Sequence, residues 1–255
     1  IPMRKLLYLS FIFLLFACRE NTATDEASAV AEGGNMVTRS VTGDSYVYPV
    51  IDWRAYKTHA EKVAACEMPD SVLSGISTEK LVEACMNYPM LFDAYAFDSP
   101  LQGLRIVASR FNGFRELMCR SDNCKFVFKY LKVHDVRNVN FTSLTSVEEG
   151  DLMLRYSLCE YFLSFEEVLR NADSDLAQEI VTFAREVLNG KESAIEHHAL
   201  LGLSSSAYLL ASTLVGNRAQ TRAAGTTTLG KFLEDGVLTN MNNYQEVKNA
   251  CLALE

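Results

Sequence analysis

Glu192, Glu196, His197 and His198 form the densest run of ligand-type side chains in the sequence. On a helix the two glutamates share a face, whereas adjacent histidines point roughly 100° apart. At most one histidine can join the pair, so the spacing predicts a solvated acidic face with one half-buried histidine and no metal site. Cys119 and Cys124 bracket Arg-Ser-Asp-Asn, a spacing that suits a local disulfide or half of a metal clip. Zinc would need two further ligands, and no paired C-x2-C or H-x3-H segment offers them. Cys85, Cys159 and Cys251 fall on apolar helical faces, where cysteine behaves as a small hydrophobe. Cys66 completes the set beyond Cys18.

Nucleophilic chemistry finds little support. A cysteine hydrolase needs a thiolate beside a histidine and an orienting group. His59, His134, His197 and His198 sit in no peptidase motif. The chain lacks the G-x-S-x-G elbow of serine hydrolases, and Ser204-Ser205-Ser206 reads as a link between two helices or a cap on the second. No glycine-rich phosphate loop is present, and no cofactor is expected. Trp53, the sole tryptophan, is flanked by Tyr46, Tyr48 and Tyr56, a cluster that could anchor a core or stack on a sugar ring. A binding surface made of Trp53, Tyr88, Phe92, Phe111 and Arg115 competes with a scaffold reading of the same residues.

The elements that would position these side chains are helices. Residues 52–66 predict the first, stopped at Met68-Pro69. Ser77 reads as an N-cap, followed by Leu81, Val82, Cys85 and Met86 on one face. Tyr88-Pro89 ends that helix. Ser99-Pro100 opens the next, with Gly103 allowing a close approach and Asn112-Gly113 making a corner. Arg110 and Arg115 could pair across that corner with Glu79, Glu83 or Glu116. Residues 134–146 look like the longest internal connection and a subdomain boundary. Leu154 to Leu169 and Leu176 to Leu188 carry two further apolar stripes, the second closed at Asn189-Gly190. Residues 191–215 read as a buried helix or helix pair, 216–228 as an exposed loop, and 229–238 and 244–254 as the last helices. The fold class expected is all-α, a multi-helical bundle or α-α superhelix of short antiparallel helix pairs.

The N-terminal part has a different composition. Arg4 and Lys5 precede an apolar stretch over residues 6–17, too short to span a bilayer and suited to an export signal. Leu15-Phe16-Ala17-Cys18 resembles the bacterial lipobox, with Phe16 bulkier than usual. The resemblance implies cleavage before Cys18 and acylation of its thiol and new amine, which anchors stably where one chain would not. Residues 1–17 are thus expected to be a signal peptide and 18–43 a lipidated, disordered tether rich in small polar residues. Residues 44–255 would form the helical domain. Arg19, standing where an aspartate would signal inner-membrane retention, favours the outer membrane on either face.

The net charge of −8, with both leader cations due for removal, argues against nucleic acid as a partner. The run from Ile76 through Tyr88-Pro89, with Gln102-Gly103 and Arg110-Phe111-Asn112-Gly113-Phe114-Arg115-Glu116-Leu117, resembles uncharacterised helical lipoproteins of gut Bacteroidales. That resemblance implies an envelope address and a helical class, and carries no activity. The sequence therefore leads to a membrane-anchored, non-enzymatic scaffold or adaptor that binds another envelope protein. An envelope hydrolase with a long-range Cys/His site, or a glycan-binding accessory lipoprotein, are the alternatives.

Overall fold

The computed structural model describes residues 41–42, 45–216 and 228–254, and every one of them belongs to a single unit. The export segment, Cys18, the expected tether up to residue 40 and most of the expected 216–228 loop lie outside the described residues, while residues 41–42 of that expected tether form a strand. A two-stranded antiparallel ribbon, β1 (Val41–Thr42) and β2 (Ser45–Tyr46), leads into helices. These are α1 (His59–Ala65), α2 (Asp70–Leu73), α3 (Thr78–Met86), α4 (Pro100–Arg110), α5 (Asn112–Cys119) and α6 (Asn123–Val133). Beyond the 134–146 connection come α7 (Ser146–Leu163), α8 (Glu166–Leu169), α9 (Ser174–Ser193), α10 (Ile195–Gly216), α11 (Thr228–Asp235) and α12 (Met241–Leu252). The fold is all-α.

Local chemistry sets half of the described helix starts. Ser77 and Ser99 accept the backbone N–H of Lys80 and Gln102, and Pro100 follows Ser99 at the first helical position. Thr58 with Glu61 and Thr145 with Glu148 form reciprocal capping boxes. The Thr58 box begins α1 at His59, so the helix expected over 52–66 is shorter. Its first residues instead make a single 3-10 turn, Trp53–Ala55, capped by Asp52. Phe111 separates α4 from α5 in extended conformation, one residue before the expected corner, and Asn112 and Gly113 open α5 instead of making the turn.

One continuous apolar core runs through the whole domain. α7 and α10 pack at its centre, with α9 against α10 and α4 against the 3-10 turn Leu91–Ala96. Gly103 makes the last contact feasible: a Cβ there would lie 2.0 Å from the Ala94 carbonyl oxygen. The 134–146 connection does not divide the core. Arg137 pins it, pairing with Asp135 at 2.6 Å and with Glu186 of α9 at 2.7 Å. α10 is long and apolar enough to cross a membrane, yet two-thirds of its most apolar window is buried within the domain.

Three local expectations are corrected. Asn189-Gly190 does not end α9, which continues to Ser193 with Gly190 packed on the Arg137 side chain. Ser204, Ser205 and Ser206 neither link nor cap helices; they lie inside α10 and are buried. Arg115 pairs with Glu67 rather than across the corner, while Glu79 and Glu83 are taken by Lys129 and Lys80 and Glu116 by Arg120.

Candidate functional site

The strongest concentration of reactive groups is buried where α7, α9 and α10 meet. Lys191 and Glu160, 0% and 1% exposed, pair at 2.7 Å. Ser205 donates to Glu160 Oε2 at 2.5 Å and Ser206 to Oε1 at 2.6 Å. Lys191 also donates to the Gly202 carbonyl at 3.1 Å, and its ammonium lies 4.8 Å from the centre of the Tyr156 ring. Burial pushes the lysine toward its neutral form, and the Glu160 carboxylate opposes that. Serine, lysine and glutamate are the raw materials of acyl transfer, but here both hydroxyls and the ammonium point at one carboxylate. A satisfied network of this kind fixes helices against each other.

The histidines are likewise engaged. His197 Nδ1 meets Glu149 at 2.8 Å and its ring stacks on Phe141. His134 Nδ1 meets the Tyr130 carbonyl at 2.9 Å. His198 is buried and its Nδ1 has no partner. Burial, then the charges of Lys191 and His197, push it down to about 4, so it is neutral near pH 7. Glu192 is bonded to Lys248 and Gln245, and no metal-holding group of His, Cys, Asp or Glu occurs among the described residues. The contacts of these histidines are to carboxylates and carbonyls, not to cysteine. Cys85 and Cys159 are fully buried, which pushes both thiols well up from their ordinary value.

Cys119 and Cys124 do not form the bridge their spacing allows. Cys124 is a buried free thiol, pushed up to about 12 by burial, and Cys119 lies exposed at the end of α5. Other residues hold the turn between them: Arg120 donates to the carbonyls of Ile76 and Leu73, and Asn123 to those of Leu117 and Met118. The expected aromatic surface does not assemble either. Tyr88 and Phe111 stack at 4.0 Å inside the core, beside Tyr48. Phe92 lies under the Arg155 guanidinium, Arg115 is exposed on α5, and Trp53 is 38% exposed.

Three open clefts of comparable size occur among the described residues, one of them, about 260 Å³, beside α11 and lined by Lys231, Asp235 and Asn243. Another, about 340 Å³, is lined by Tyr156, Asn87, the stacked Tyr130–His134 pair and the Asp151–Arg155 ion pair. The third, about 280 Å³, lies between α1, the Leu91–Ala96 turn and α4. His59 and Asp93 meet at 2.7 Å on its wall, Arg110 lines it, and Tyr88, Phe97 and Ile106 supply apolar surface. Tyr88 and Arg110 were expected in other roles, and Asp93 and Glu160 belong to no motif in the sequence. No family model, no curated protein and no solved structure matches the chain.

Proposed function

We propose that this chain is a lipoprotein of the bacterial outer membrane, anchored through Cys18, whose helical domain is a non-enzymatic scaffold that binds another envelope protein. The observation that carries the reading is the order of N-terminal features: Arg4 and Lys5, an apolar run, then Leu15-Phe16-Ala17-Cys18 ahead of a polar tether. The internal bonding of the domain is consistent with it. The nucleophile-rich trio of Lys191, Ser205 and Ser206 is spent on Glu160, and the Cys85 and Cys159 thiols are held protonated by burial.

Membrane fractionation of cells expressing the wild type and Cys18→Ala tests the anchor. The wild type should pellet with outer membranes and take up a labelled fatty acid, while Cys18→Ala should be released and unlabelled. Equal fractionation of the two would overturn the reading.

A further inference from the structure

We propose that the cleft between α1, the Leu91–Ala96 turn and α4 binds a small apolar monocarboxylate, an acyl chain or aryl group whose carboxylate pairs with Arg110. The cleft has the composition of a small-molecule site: mostly apolar walls and a few polar groups at fixed positions. Val63, Met90, Phe97 and Ile106 contribute apolar surface, and Phe97 remains 40% exposed despite its size. A cavity of roughly 150 Å³ is enough for benzene. About 280 Å³ therefore accommodates a chain of about eight carbons or a fused ring.

The charge of the ligand follows from which polar groups are already used. Asp93 is engaged by the His59 ring at 2.7 Å. Arg110 is exposed in the last turn of α4, and no carboxylate among the described residues pairs with it. The cleft thus offers a planar guanidinium fork, the geometry that suits a carboxylate. A cationic ligand would have to compete with His59 for Asp93 beside that guanidinium. The chain's net charge of −8 repels anions in general, so carboxylate selectivity rests on Arg110. This inference is independent of the membrane anchor.

Calorimetric titration of the full-length chain with octanoate, octylamine and octanol, each below its aggregation threshold, tests it. Octanoate should bind more tightly than octylamine. Arg110→Gln should weaken octanoate about tenfold or more, the scale of a lost charge-assisted hydrogen bond, and leave octanol unchanged. Ala96→Phe, made at an exposed position on the rim, should fill the cleft and abolish binding of both without disturbing the core. The proposal is overturned if octanoate does not bind, if octylamine binds as well, or if octanoate binding survives either substitution.

Discussion

Replacing Lys191 by methionine should be among the most damaging single changes in this domain, and replacing its partner as well should undo much of the damage. In Lys191→Met the Glu160 carboxylate stays 1% exposed and loses its only cation, keeping the two serine hydroxyls as donors. Removing one partner of a buried pair costs about 3–5 kcal/mol, because the other charge is left uncompensated. Glu160→Gln strands the ammonium in the same way, with the Gly202 carbonyl as its remaining strong acceptor, and should cost a similar amount. In the double variant no charge is buried at this site, and the carboxamide that replaces the Glu160 carboxylate still faces the Ser205 and Ser206 hydroxyls, so a loss of about 1–2 kcal/mol is expected. Urea unfolding followed by far-ultraviolet circular dichroism measures all four proteins. At a slope of about 2 kcal/mol per molar, each single variant should lower the midpoint by roughly 2 M and the double by less than half of that. Additive losses, or single variants within about 1 kcal/mol of wild type, would refute the idea that the pair acts as one unit.

His198 and the residue after it supply two more tests. Because the folded protein holds His198 down at about 4 against an ordinary 6.5, the unfolded chain binds a proton that the folded one refuses between those values. Stability from this group is present above pH 6.5 and is lost as the pH falls to about 4, a swing of up to about 3 kcal/mol. His198→Gln should flatten the fall in melting temperature between pH 7 and pH 4, and an unchanged slope would count against the assignment. Ala199 sits at φ 51° and ψ −173° inside α10, a conformation open to glycine and strained by about 1–3 kcal/mol for other residues. Ala199→Gly should therefore raise the melting temperature by about 2–4 °C, net of glycine's entropy; a lower melting temperature would mean the kink carries no strain.

What the sequence reveals of this fold divides by range. Ser77 and Ser99-Pro100 act within one turn of where they stand, and both read correctly; the corner expected at Asn112-Gly113 falls one residue earlier, and the Asn112 side chain instead bonds the distant Met68 backbone. Asn189-Gly190 carries an equally good local stop signal and fails. Lys191, the next residue, is held in the helix by a bond to Glu160, and Gly190 gives Arg137 room to pack. Ser205 and Ser206 fail for the same reason, since their acceptor lies on a different helix, and Ser204 donates to the Leu200 carbonyl of its own helix. A clue was present: Glu160 is the lone charge in the run from Tyr156 to Phe165, which is otherwise apolar or hydroxylic. Such a residue demands a buried partner. Asp93 is likewise the lone charge between Pro89 and Phe97, but its partner His59 stands in a polar stretch 34 residues away and interrupts no apolar pattern.

The two polar sites do opposite work, and their exposure explains it. Helices faced with leucine, valine and alanine, as α9 and α10 are, can pack in more than one register at little difference in apolar burial. A slip of one turn moves a side chain about 5.4 Å along its axis, enough to part Lys191 from Glu160 and both serines from their acceptor. The alternative register then holds an unpaired carboxylate in the core. The buried network therefore selects one arrangement of α7, α9 and α10, and it can do so only while solvent is kept from it. The Arg110 cleft needs the reverse: a charged group left without a partner at an opening, on a framework rigid enough to keep it there. The nucleophile-rich groups of the core are therefore the ones that hold the fold. The group that looks like an ordinary surface arginine has the chemistry left over to meet a ligand.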